Sequence, residues 1–223
     1  MFRFEQFKIE QDLCAMKVGT DAVLLGAWAY GGSRILDVGT GTGIIALMMA
    51  QRYPQANVMA IDIDEGAVRQ ATANVLASPF ACQITVEQTK VQDMRETHDG
   101  CFDAVVSNPP FFIDALKAPD RQRNMARHTE TLTYADLMTA ANRLLSDEGE
   151  LSVIVPFDYR WRMDDEAIFQ GFFPSRICAV KTTLKKPVRR YLLAYRKRPC
   201  LCEQTEMVIG DEQYQLLTHD FYL

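Results

Sequence analysis

Short apolar runs near residues 34–38, 57–62, 83–88, 102–107 and 150–155 alternate with segments near 42–52, 64–77 and 133–146 whose apolar positions recur at helical spacing. Strand and helix in alternation predict β-α-β units and a parallel sheet. Right-handed crossovers then bring the loops that follow the strands to one rim, where open α/β sheets take ligands. Beyond Pro156 the rhythm changes: a helix is expected near 164–170, then strands near 176–184 and 189–196 joined through Lys185-Lys186-Pro187. That joint reads as a hairpin. The expected fold class is therefore α/β, a doubly wound, mostly parallel seven-stranded sheet whose last strand runs antiparallel. At the other end of the chain Thr20-Asp21 opens an apolar helical run, Ala22 to Tyr30, that stops at Gly31-Gly32. A helix cap accounts for both polar residues as well as a ligand does.

Two of the strand ends carry chemistry. Arg34 to Val38 runs into Gly39-Thr40-Gly41-Thr42-Gly43 and then into the helical run Ile44 to Ala50. Such glycines let backbone approach a ligand, and the helix that follows offers free N–H groups. The spacing is Gly-x-Gly-x-Gly, unlike the Gly-x-Gly-x-x-Gly of dinucleotide folds. Asp62 ends the next strand about 20 residues on, where a carboxylate can hold both hydroxyls of a ribose. Asp37, beside the loop, suits a ligand with an ammonium group and repels a pyrophosphate. The second end is Asn108-Pro109-Pro110-Phe111. Asn108 Oδ1 and the Pro109 carbonyl can each accept a hydrogen bond from an NH2 group, and Phe111 can stack on the ring that bears it. A strand-end turn capped by Asn108 is the plain alternative.

Taken together, Asp37 to Gly43, Asp62, Asp93 and Asn108 to Phe111 resemble, in order and spacing, the class I S-adenosylmethionine-dependent methyltransferases, whose N-P-P-[FY] box marks members that methylate planar nitrogens. Gln11-Asp12, Met16 to Asp21 and Ala126-Arg127-His128 make the chain most similar to the bacterial tRNA(Val) adenine-37 N6-methyltransferases. The resemblance implies a Rossmann-like methyltransferase fold and N6 methylation of an adenine in a tRNA anticodon loop. It places S-adenosyl-L-methionine against Lys17, Thr20, Asp21, Asp37, Gly39, Thr40, Gly41, Gly43, Asp62, Ile63, Asp93 and Asn108, with residues 108–111 as the catalytic box. It also implies a lid over residues 1–32, a cofactor-binding core over 33–156, and C-terminal strands with a basic hairpin over 157–223, all within one domain. Methylation of a protein glutamine amide or of a guanine amine in rRNA uses the same clamp. A nicotinamide-binding oxidoreductase is disfavoured by the glycine spacing.

Charge modifies this picture. The net charge is −5, which by itself argues against a nucleic-acid partner. Yet Arg176 to Arg198 holds nine Lys or Arg and no acid, leaving 15 of the 24 basic side chains against all 29 acidic ones elsewhere. A basic strip on an acidic body is a phosphate footprint or, more plainly, protection of an edge strand. Lys185, Lys186, Arg189 and Arg190 are its candidate RNA contacts. The long polar stretch 112–131 adds Arg121, Arg123, Arg127 and His128, because loops of that length are usually functional. Six scattered cysteines and no long apolar run fit a cytoplasmic protein without a metal site. A monomer acting on tRNA, with no membrane partner, is expected.

Overall fold

A computed structural model describes residues 1–14, 17–110 and 132–222. The chain opens with a two-stranded antiparallel ribbon, β1 (Phe2–Arg3) and β2 (Lys8–Ile9), followed by α1 (Thr20–Trp28). Then come β3 (Arg34–Val38), α2 (Ile44–Arg52), β4 (Asn57–Asp62), α3 (Glu65–Leu76), β5 (Ile84–Gln88) and β6 (Phe102–Ser107). The second half contains α4 (Tyr134–Leu144), β7 (Leu145–Pro156), α5 (Arg160–Phe169), β8 (Phe173–Lys181), β9 (Val188–Arg196), β10 (Glu203–Val208) and α6 (Glu212–Thr218).

The main sheet has the order β10-β8-β9-β7-β6-β3-β4-β5. It is mostly parallel and mixed with helices, as the patterning predicts, and β9 is antiparallel to both neighbours. It has eight strands where the patterning predicts seven. The added edge strand β10 pairs parallel to β8, and its residues 203–206 are all exposed. An edge strand with no buried face until Met207 has no apolar alternation to betray it. The first turn of α5 also lies ahead of the expected helix start, because only Met163 and Ala167 of that helix are buried.

Within the strands, period-two alternation feeds two cores. Ile35, Val58, Ala60, Ala104, Val106 and Ile154 face α1, α2 and the N-terminal segment. Leu36, Ile61, Val105, Val153 and Val155 face α4 and α5. Because both faces are covered, the central strands read as continuous apolar runs. Strand order reverses between β3 and β6, and the crevice outside their carboxyl ends is where this topology leaves room for a ligand. Among the described residues, no helix is long and apolar enough to cross a membrane.

Candidate functional site

A cavity of about 800 Å³ opens at that crevice. Its floor is the glycine loop. Gly39 and Gly41 have φ of 71° and 57°, and a Cβ built on either would meet nothing within 4 Å, so bare backbone faces open space there. Only glycine adopts this conformation readily, and its missing side chain leaves room for a ligand to lie against the loop. The Gly41 N–H donates to Asp62 Oδ2 (2.9 Å) and the Asp64 N–H to Asp62 Oδ1 (3.0 Å). Asp62 thereby braces the loop while keeping lone pairs for a hydroxylated ligand. Ile63 and Thr40 line the same wall.

Asp37 serves differently from the expectation. It is fully buried and does not line the cavity. Its Oδ2 accepts from Thr40 Oγ1 (2.6 Å) and from the Ala46 N–H (3.1 Å), so it ties the loop to the start of α2. Burial pushes its carboxyl up to about 7, against the pull of those two hydrogen bonds. Gly43 also departs from the expectation: its ideal Cβ would lie 3.3 Å from Ala71 Cβ, so this glycine permits close packing of α3 rather than ligand approach. At the far wall the cavity is lined by Thr89, Lys90, Val91 and Gln92, while the neighbouring Asp93 is exposed and outside the lining.

On the opposite side stands the end of β6. Ser107 Oγ donates to the Val38 carbonyl (2.8 Å), locking the tips of β6 and β3 together. Asn108, Pro109 and Pro110 follow directly and line the cavity. Asn108 Oδ1 is buried and has no hydrogen-bond partner among the described residues. A buried amide oxygen left so costs about 1–3 kcal/mol, which a capping role would have recovered. The turn-only alternative loses its support here. Phe111, Arg121, Arg123, Arg127 and His128 lie outside the described residues.

The roof comes from the N-terminal segment. Lys17, Thr20 and Asp21 all line the cavity. Thr20 is the first residue of α1, whose N-cap is Gly19 with no side-chain cap bond, so capping does not explain Thr20 or Asp21. Lys17 Nζ donates to the Gln11 carbonyl (2.6 Å), and the Val18 N–H donates to Gln11 Oε1 (2.8 Å). Cys14 also lines the cavity, and burial pushes its thiol up, so it acts as a neutral wall.

Some contributors escaped sequence reasoning. Asn74 Nδ2 donates to the carbonyls of Glu10 and Thr42 (both 2.8 Å), and its Oδ1 accepts from the Glu10 N–H (2.9 Å). One side chain of α3 thus joins the N-terminal strap to the glycine loop. Asp136, a cavity residue, also forms a capping box with Thr133 at the start of α4. Thr133-x-x-Asp136 is readable as a box, but nothing local says that the helix points at the site.

The basic strip is largely neutralised by acids from elsewhere in the sequence. Arg176 is buried, paired to Glu150 (2.6 Å) and stacked on Trp28 and Tyr30. Arg196 shares Glu150 (3.0 Å), Lys181 pairs with Glu206 (2.7 Å), and Arg198 pairs with Asp147 and Glu148. Arg190, expected at phosphate, is held by Asp21 (2.8 Å). Lys185, Lys186 and Arg189 remain exposed. Pro156 at the carboxyl end of β7 pairs with Arg190, which puts this hairpin tip on the cavity's rim.

The methyltransferase small domain family model matches residues 18–166. A tRNA1(Val) (adenine(37)-N6)-methyltransferase of Parabacteroides distasonis is 44% identical across all of this chain and 97% of its own length. A protein of the same name from Mannheimia succiniciproducens is 42% identical over all of this chain and 94% of its own. Among solved structures, a predicted O-methyltransferase of Agrobacterium tumefaciens superposes with a TM-score of 0.66 at 18% identity, covering 90% of this chain and 96% of that one. That last likeness concerns the fold. The chain therefore belongs to the methyltransferase small domain family, with full-length similarity to bacterial proteins named tRNA1(Val) (adenine(37)-N6)-methyltransferase.

Proposed function

We propose that this protein methylates the exocyclic N6 of adenine 37 in the anticodon loop of tRNA1(Val), using S-adenosyl-L-methionine. The observation that carries the reading is the buried, unpartnered Oδ1 of Asn108 beside a bare glycine loop and a ribose-competent carboxylate, all in one cavity. The names of the full-length relatives supply the substrate. The residues present fit the cofactor. Gly39 and Gly41 leave room against the loop, Asp62 can take ribose hydroxyls, and Lys17, Thr20 and Asp21 close the site from above.

S-adenosyl-L-methionine supplies a sulfonium-borne methyl group that is electrophilic at carbon. The protein's part is to hold N6 in line with it. An adenine amine has its lone pair drawn into the ring, and accepting both of its N–H bonds at Asn108 Oδ1 and the Pro109 carbonyl orients the nitrogen and raises its electron density. As the N–C bond forms and the methyl–sulfur bond breaks, leaving a neutral thioether, N6 becomes acidic and gives up one proton to water. No strong general base is then required. The adenine must leave its stack to reach the slot, which costs least in a single-stranded loop.

This role suits a cytoplasmic monomer with free thiols. Mass spectrometry of tRNA nucleosides from a strain lacking the protein tests it: N6-methyladenosine at position 37 of tRNA1(Val) should vanish, and the purified chain should restore it. Retention of that nucleoside would overturn the reading.

A further inference from the structure

We infer that the rim carries a second base-binding subsite, an aromatic and arginine platform that stacks an unpaired nucleobase flanking the target adenine. This rests on the proposed RNA substrate and deepens it. Phe157 is the first residue beyond β7, the strand adjoining β6 with its Asn108 end. Its ring is 51% exposed and stacks on Tyr191 (5.9 Å between centroids, 25° between planes). Trp161, in the first turn of α5, is 58% exposed. Arg160 lies over Tyr191 (4.5 Å) and Arg162 over Trp161 (5.2 Å). Between Phe157, Arg160, Trp161 and Tyr191 is a hollow of about 400 Å³.

Exposed rings beside cationic side chains are what proteins use to stack the bases of single-stranded RNA. The charge arrangement selects a base over a phosphate. Asp158 and Asp164 also border the hollow, and Asp164 is already engaged by Arg160 (3.2 Å) and Tyr195 (2.6 Å). An anion there would meet carboxylates. The phosphates instead find Lys185, Lys186 and Arg189 beside it, since Val155 of β7 pairs with Tyr191 and Pro156 with Arg190. Taking the target adenine out of the loop removes a stacking partner from each neighbour. A ring offered to one of them offsets that loss.

The test uses the full chain with the anticodon stem-loop RNA of tRNA1(Val), intact or with an abasic site on either side of the target adenine. Phe157→Ala/Trp161→Ala should melt as the wild type does and bind S-adenosylmethionine normally, while its KM for intact RNA rises about 5- to 100-fold. One of the two abasic RNAs should be equally poor for the wild type and lose nothing further with the variant. Trp161→Phe should restore most of the affinity. A double variant that handles intact RNA like the wild type, or losses that simply add, would remove the subsite and leave the proposed function standing. Failure of the wild type to methylate intact RNA would bring down both.

Discussion

Asn108 and Asp37 are both polar groups whose surroundings do not satisfy them, and each gives a distinct prediction. Deleting the Asn108 side chain removes an acceptor that folding leaves unpaired, so Asn108→Ala should keep or slightly raise Tm. Its single-turnover methylation should fall by about 10² or more, as happens when aligned polar groups are removed. A variant that melts early and reacts normally would return Asn108 to a structural role. For Asp37 the folded carboxyl titrates near 7, above its ordinary 3.8. A raised acid pKa means that the folded state holds a proton the unfolded chain has released, so this contribution is full below about 3.8 and declines as pH rises to about 7. Asp37→Asn keeps an acceptor for Thr40 and Ala46 and never ionises. Relative to wild type, the ligand-free variant should therefore gain stability between pH 5 and pH 8, on the order of a few kcal/mol. A pH-independent Tm difference would refute it. The Asn-Pro-Pro box stood out in the sequence as an amide and two prolines at a strand end, but a capped turn reads equally well there, and only the unpartnered Oδ1 separates the two. Asp37's inward turn was not legible, since strand residues face either side with no sequence mark of which side holds the ligand.

Single elements carry several functions at once. Helix α3 packs against Gly43 and, through Asn74, ties the N-terminal strap to the glycine loop. Asn74→Ala strands the Glu10 N–H and the Thr42 carbonyl. It should cost about 1–3 kcal/mol in urea unfolding and also weaken cofactor binding; normal cofactor affinity would separate strap from site. An asparagine inside an amphipathic helix is silent in sequence because its partners lie 64 and 32 residues away. The β8–β9 hairpin makes the complementary case. Its turn was legible from Lys185-Lys186-Pro187, but its free charge was not, because Glu150, Glu206 and Asp21 approach from distant segments. Reversing Lys185, Lys186 and Arg189 to Glu should weaken tRNA binding and reduce the log–log salt slope by about 0.7 for each phosphate that is no longer neutralised. Cofactor affinity should stay unchanged. Extending the reversal to Arg190 should disturb the cofactor site as well, since Asp21 then faces a carboxylate in place of its guanidinium partner. An unaltered salt slope in the triple variant would place the RNA elsewhere.

At the scale of the molecule, the sheet was readable because its central strands are buried on both faces and separated by helices of regular period. The β1–β2 ribbon and β10 were not, being too short or too polar to show a pattern. What the sheet does is gather separate chain segments around one cavity, four of which are the strap at Cys14 and Lys17 to Asp21, the glycine loop, the β4 end and the β6 end. A ligand touching all four must stabilise the whole. At 100 times its Kd, S-adenosylhomocysteine should add about 2.7 kcal/mol, which for a chain of this size raises Tm by roughly 5–10 °C. Asp62→Ala removes both a ligand-binding carboxylate and the brace on Gly41 and Asp64, so it should cut affinity by about 1.5–3 kcal/mol and shrink that shift accordingly. Hydrogen exchange should slow on ligand binding at Leu13, whose N–H already donates to Gln70 (3.0 Å) from across the strap. Equal protection by a nicotinamide dinucleotide, or none by S-adenosylhomocysteine, would show that the four segments assemble a different site.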